Sequence, residues 1–226
     1  MQKNKNKSEA AERINEFVQK HRKAIFICLG VIVLGLTGTV VTISLVDLFR
    51  TRAISGVEEL LNRYIELGYE ITDEDSADQV ESLLADLNSF ARGKSGYAGG
   101  RAWSIIASIH ADREQWPEAE EAWRNAARVA SKTYLAPIAL FNAAVACEEQ
   151  GNNDKAIELY SMSVSHPMDF PGAPHAQFSI GRLNEANNNT SAALDAYYMV
   201  LARWPAITVW VNLAYSRIIA LESEAL

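Results

Sequence analysis

One spacing recurs three times in the C-terminal half of the chain and limits the fold more than any other feature. A small residue is followed twelve positions later by Ala, four later by an aromatic, and three later by another small residue. The first copy is Ala107, Ala119, Trp123, Ala126, and the second is Ala144, Ala156, Tyr160, Ser163. The third is Gly181, Ala193, Tyr197 and then Val200, which departs from the rule at its last place. Successive copies start 37 residues apart. Aromatics are only 9% of the composition, so an aromatic in the same slot three times is not a product of composition. In a helix, positions 119, 123 and 126 share one face. Positions 107 and 119 then fall on two successive helices, where small side chains let the backbones approach, and the aromatic fills the space between neighbouring hairpins. A single hairpin cannot bury that face, so hairpins stack. Trp116-Pro117, His166-Pro167 and Trp204-Pro205 mark the breaks, because Pro is excluded from helix interiors but accepted at turns and at the first helical position. The expectation is an all-α chain; a helical bundle with Ala-rich seams is the competing arrangement.

This pattern resembles the tetratricopeptide repeat (TPR) family. That family places a Trp or Leu before the first small residue, matched by Trp103 and Leu140, and a terminal Pro, matched by Pro167 and Pro205. The period is three residues longer than the family's usual length of about 34, which implies slightly long turns. The resemblance implies a TPR-like α-solenoid of about three repeats over residues 97–226.

The N-terminal part has a different character. Residues 1–23 carry a net charge of +4, residues 53–226 carry −12, and the chain as a whole carries −7. Between Ala24 and Val46 there is no charged residue, and fourteen of the 23 positions are Ile, Val, Leu or Phe. As a helix this run is roughly 35 Å long, enough for a hydrocarbon core of about 30 Å. The rival reading is a cleaved secretory signal. Its apolar region would be shorter, and Ser44-Leu45-Val46-Asp47 offers no small-x-small cleavage site. An uncleaved transmembrane helix over 24–46 is therefore expected. The basic arm, 1–23, stays cytoplasmic by the positive-inside rule, and the acidic remainder lies on the far side. Gly30, Gly35 and Gly38 are not four apart and do not predict a helix-pairing seam. Ile14, Phe17, Val18 and Ile25 form a stripe beside Arg13, Lys20 and Arg22. It reads equally as a helix in the headgroup layer or as a solvated basic flank.

Residues 47–96 are expected to form a juxtamembrane helical pair. The first helix continues from the anchor through Leu48, Val57, Leu60, Leu61 and Ile65 to a stop at Gly68. Asp75 or Ser76 caps the second, whose apolar positions are Val80, Leu83, Leu84, Leu87 and Phe90. The pair reads as a degenerate repeat. Gly93, Gly96, Gly99 and Gly100 read as a flexible joint before the solenoid. Ile207, Trp210, Val211, Leu213, Ala214, Ile218 and Ile219 predict an amphipathic capping helix at the C-terminal end.

Chemistry-bearing patterns are few. Asp73, Glu74, Asp75 and Asp78 lack the Gly and the distant Glu of the helix-loop-helix calcium motif, so a solvated turn is expected. Gly93-Lys94-Ser95 lacks the Gly five positions earlier that a phosphate loop needs; Asn88 stands there. His21, His110, His166 and His175 have no Cys, Asp or Glu at metal-ligand spacing. Cys28 and Cys147 read as buried thiols rather than a disulfide pair. No catalytic residue, cofactor, metal or small-molecule substrate is expected, and the acidic balance of the outer part opposes nucleic-acid binding.

What remains is a binding surface. By the TPR resemblance, the first helix of each repeat lines a groove, and its positions fall on Arg101, Ser104 and Ser108; Ile138, Phe141 and Val145; His175, Phe178 and Arg182. Relatives that grip acidic chaperone tails use Lys, Asn and Arg there. Phe141 and Phe178 instead imply an apolar partner segment. Packing of those residues under the last helix is the alternative. The whole layout, with Arg13-Ile14-Asn15-Glu16-Phe17 through His21-Arg22-Lys23-Ala24 before the membrane, resembles the YfgM-type ancillary subunits of the SecYEG translocon in bacterial inner membranes. That resemblance implies a non-catalytic periplasmic partner-binder beside SecYEG and PpiD-like folding factors, assisting newly translocated chains. The alternatives are a scaffold in a large envelope machine, such as a flagellar motor or division complex, and an organelle import receptor, which the lack of basic groove residues weakens.

Overall fold

The computed structural model describes residues 2–224; the side chains of 2–12, 14, 25, 69, 70, 74 and 224 are outside the description. Part of the basic arm, Ile14 and Ile25 of the apolar stripe, and Glu74 of the acidic turn therefore lie outside the described side chains. Among the described residues the secondary structure is α-helical with short 3-10 turns and no strand, as the sequence predicts. The chain divides into two compact units, 1–52 and 53–226.

The first unit belongs to helix α1, which runs Gln2–Leu67. Phe26, Ile27, Leu29, Val33, Leu34 and Val40 are all exposed. A stretch within Phe26–Leu67 is long and apolar enough to cross a membrane. Thr37, Thr39 and Thr42 turn their hydroxyls onto the carbonyls of Val33, Gly35 and Gly38, at 2.8 Å each. Such back-bonding satisfies the hydroxyls within the helix itself. A Cβ placed on Gly30, Gly35 or Gly38 would meet nothing within 4 Å.

The second unit begins with the last part of α1. The helix stops where the sequence predicts, at Gly68, whose φ of +47° suits a residue without Cβ. Two 3-10 turns, Gly68–Thr72 and Glu74–Ser76, lead to α2 (Ala77–Gly93). Ser76 takes the N-cap position but makes no side-chain capping bond. Val57 and Leu60 of α1 join Val80, Leu83, Leu84 and Leu87 of α2 in one core. Gly56 lets the Phe90 ring come within 3.0 Å of where a Cβ would stand.

Helix α3 (Gly96–Asp112) follows after Lys94-Ser95 only. Here the expectation of a glycine joint is corrected. Gly99 and Gly100 are buried inside α3, and a Cβ on Gly100 would lie 2.4 Å from the Ala130 Cβ. These two glycines serve close helix approach rather than loop freedom. Their core is shared: Ala98, Ala102, Ile105 and Ile109 of α3 belong to the same cluster as Val57 and Leu83.

Three hairpins follow: α3 with α4 (Trp116–Val129), α5 (Leu135–Glu149) with α6 (Asn153–Val164), and α7 (Ala173–Ala186) with α8 (Thr190–Arg203). Their internal turns are copies of one another. Glu114, Gly151 and Asn188 all take left-handed φ, at 57°, 72° and 60°. Behind each, two bonds close the helix end in the same way. Gln115, Asn152 and Asn189 donate their N–H to the carbonyls of His110, Cys147 and Asn184, while Glu114, Gly151 and Asn188 donate to Ala111, Glu148 and Glu185. This is the paired closure of a Schellman end. Asn152 and Asn189 then cap the next helix through their side chains, accepting from Lys155 N and Ala192 N.

The repeat slots sit where the spacing places them. Ala107, Ala119, Ala126, Ala144, Ala156, Tyr160, Ser163, Ala193, Tyr197 and Val200 are buried, Gly181 is buried within α7, and Trp123 is half-buried. At Gly181 the close approach is explicit: a Cβ there would be 2.4 Å from the Tyr197 ring. The chain closes with α9 (Thr208–Glu224), which buries Ala214, Ile218 and Leu221 against Tyr197 and Val200.

Candidate functional site

The groove positions lie on the first helices of the hairpins. In the first hairpin, Ser104 is buried and its hydroxyl bonds to the Gly100 carbonyl at 2.9 Å, so it is occupied by its own helix. Arg101 is half-buried, and its Nε is a buried atom without a hydrogen-bond partner. Ser108 is half-buried beside Tyr64 of α1, whose hydroxyl donates to Asp112 at 2.9 Å. Burial and the Asp112 carboxylate push the Tyr64 phenol up to about 12.

In the second and third hairpins the positions form a row of rings. Phe141 lies edge-on to Tyr160 at 5.2 Å and to Phe170 at 6.1 Å, and 5.0 Å from His175. His175 stacks nearly flat on Trp210 of α9, at 4.3 Å and 14°. Trp210 also touches Phe178 at 5.5 Å, and Phe178 touches Tyr197 at 5.2 Å. Ile138, Phe141, Val145, His175 and Phe178 are all half-buried, and Arg182 is exposed. The structure thus brings Phe141 and His175 together and joins Phe178 to them through Trp210, while Arg101, Ser104 and Ser108 lie on α3 of the first hairpin. It also places Trp210, from the last helix, over the third hairpin's share. Burial and then the Arg182 charge lower the His175 pKa, so the ring is neutral where it meets the aromatics.

A charged ladder runs beside this row. Glu148 accepts from the Tyr160 hydroxyl at 2.6 Å within its own hairpin and pairs with Arg182 of the next. Glu185 repeats the arrangement with Tyr197 at 2.7 Å and with Arg217 of α9. Each glutamate therefore ties one hairpin to its successor. Burial and Glu148 drive the Tyr160 phenol upward, which keeps it a donor. The sequence carries a signal for these glutamates that the slot pattern does not use. Glu148 and Glu185 stand twelve residues before a Tyr, while Trp123, which has no hydroxyl, has Ala111 at that distance.

The first two hairpins also hold an open cleft of about 890 Å³, lined by α4, α5 and α6. At its floor Glu120 is buried, with Lys155 Nζ at 2.5 Å, Arg124 at 3.3 Å and Gln150 at 3.3 Å. Burial raises its pKa, but the bonds from Lys155, Cys147 and Gln150 outweigh that, and the carboxyl is held below its ordinary value. Cys147 is fully buried; burial and Glu120 push its thiol up to about 12, so it stays a neutral thiol that donates to Glu120. Among the described residues no three His, Cys, Asp or Glu side chains come together as a metal cage.

Stacked helical hairpins with a row of half-buried rings along their first helices define a repeat protein built for contact with other proteins. The tetratricopeptide repeat model matches residues 106–167. A TPR repeat-containing protein of Treponema pallidum (strain Nichols) is 30% identical over 224 residues, covering 92% of this chain and 93% of the relative. The chain belongs to the tetratricopeptide repeat family. Its repeats are a protein–protein interaction module.

Proposed function

We propose that this chain is a non-catalytic adaptor held at the bacterial inner membrane by residues 24–46, with its N-terminus cytoplasmic and its repeats in the periplasm. There it binds protein segments that emerge from the SecYEG translocon or that belong to a PpiD-like folding factor. The binding surface is the row Ile138, Phe141, Val145, His175 and Phe178, with Arg182 at its exposed side and Arg101 and Ser108 as a polar extension; Ser104, buried and bonded to Gly100, is left out of it. The observation that carries this reading is the aromatic row itself. Rings half-buried on rigid helices give contact area at little entropic cost and suit an aliphatic or helical segment better than a charged tail. The change from +4 before the apolar run to −12 after residue 52 supports the orientation.

A photo-crosslinking residue at Phe141 tests the surface in intact cells. Crosslinks to translocating chains or to channel-associated folding factors are expected, and Phe178→Arg should remove them. Crosslinks confined to subunits of one symmetric envelope assembly would replace this reading with a scaffold. Protease added to spheroplasts should digest residues beyond the anchor; full protection would reverse the topology.

A further inference from the structure

The cleft on α4, α5 and α6 is a second surface, made of residues that the ring row does not use. Helix α5 runs against both neighbours. Gln150 at its end reaches the Trp116 carbonyl of α4, and Ser163 of α6 reaches the Pro137 carbonyl at its start. So α4 and α6 run the same way, in step where Lys155 meets Glu120. The cleft follows them from Pro117 to Ser131, about 21 Å at roughly 1.5 Å per residue. Its floor is apolar, with Ala127, Leu140 and Leu159 buried.

The walls carry charge that the fold leaves uncompensated. Towards the Pro117 end, Glu121 and, about one turn further along, Glu158 are exposed carboxylates without an ion pair among the described residues. Glu120 does not belong with them, because Lys155, Arg124 and Gln150 already satisfy it. At the Ser131 end Arg128 is exposed, and its partner among the described residues is the neutral Asn125 amide, at 3.1 Å. His166 accepts the Met168 N–H on Nδ1 at 3.1 Å, so its neutral ring carries the proton on Nε2 and donates there. The Ser131 hydroxyl lies at the same end. One end is thus acidic, the other offers donors to an anion, and apolar surface lies between. One repeat later the pattern is gone. Arg124, Arg128 and Lys155 give way to Ser161, Ser165 and Ala192, and Ala127 and Leu140 give way to Val164 and Gln177, both buried. The charged cleft is therefore a property of this seam and not of hairpin stacking as such.

We propose that this cleft binds an extended peptide segment of a partner protein that carries a basic and an acidic side chain three or four positions apart, with aliphatic residues between them. The basic side chain meets Glu121 and Glu158, and the acidic one meets Arg128, Ser131 and His166. The spacing follows from α4. Glu121 and Arg128 are seven residues apart, about 10.5 Å along the helix, and three extended residues cover that distance at about 3.3–3.6 Å each. Volume decides against a helical ligand. A helix 21 Å long and 10 Å across fills about 1,600 Å³, nearly twice the cleft's 890 Å³. An extended segment of about six residues spans the same length in less space.

The probe is a fluorescein-labelled, end-capped peptide, Ala-Lys-Val-Leu-Glu-Ala, titrated by fluorescence anisotropy against the full chain in detergent micelles. Saturable binding is expected. Arg128→Glu should weaken it at least tenfold, and the peptide with Lys in place of its Glu should regain at least tenfold on that variant. Glu121→Lys should behave in the mirrored way with a peptide whose Lys is replaced by Glu. Both positions are exposed, so neither variant should shift the melting temperature. The inference is overturned if the peptide fails to bind, if either variant binds it as the parent does, or if the exchanged peptides regain nothing. A full chain that sediments as a dimer and is parted by Arg128→Glu overturns it in favour of a second copy.

Discussion

Position 114 shows how much one residue's backbone matters. The turn between paired helices needs a left-handed residue, and the three hairpins supply Glu114, Gly151 and Asn188 for it. Only glycine adopts that conformation freely; other L-residues lose roughly 1–2 kcal/mol there, Asn less than Glu. Glu114→Gly should therefore stabilise the chain by about 1 kcal/mol, and Gly151→Ala should destabilise it by a similar amount, both read as shifts in the melting curve. A fall in melting temperature for Glu114→Gly would mean that its side chain matters more than its φ. Gly181→Ala tests the close approach. The new methyl would stand 2.4 Å from a ring that is fully buried and has nowhere to go. A loss of about 1–3 kcal/mol is expected from overpacking, and the same range applies to Ala119→Leu and Ala156→Leu. An unchanged melt for all three would contradict the packing at these slots.

Between elements, polar ties and apolar seams divide the work. Glu120 holds α4 to α5 and α6 through Gln150 and Lys155. Its folded pKa is lowered, so its ionised form contributes stability above the unfolded carboxylate value of about 4.3, and that contribution is lost as pH falls through the folded value. Glu120→Gln should thus melt lower than the parent at pH 7, with the gap closing on acidification below about pH 4. A gap that stays constant from pH 7 to pH 3 would show that the charge is not what ties the helices. The Glu148–Arg182 and Glu185–Arg217 pairs are half-exposed on the arginine side and are worth less each. Their role is register: they bring α7 and α9 to the same place on the preceding first helix. Much of this level was visible beforehand. The helix end at Leu67 followed from Gly68, and the seam of small residues followed from the spacing. The ring contacts of Trp210 did not follow. An amphipathic helix pattern says that one face is buried, not which hairpin receives it.

At the scale of the whole chain, two units of opposite character share one helix. The unit over 53–226 has its own cores, from Val57 and Leu83 through Tyr160 to Ala214 and Leu221. Deleting residues 1–52 should leave a soluble helical domain that melts within about 2 °C of the parent, while the full chain should stay with membranes through alkaline washing. Release of the full chain by that wash would remove the anchor from the account. The sequence alone determined the all-helical class, the hairpin repeat and the apolar run, because each is a periodic or compositional demand that local chain geometry imposes. Only the tertiary structure decided that Gly99 and Gly100 serve packing, that Glu148 and Glu185 bridge successive hairpins, and that Trp210 of α9 stacks on His175. Those outcomes depend on which side chains meet across helices, and loop lengths such as the one between Arg203 and Thr208 set that meeting without leaving a periodic trace.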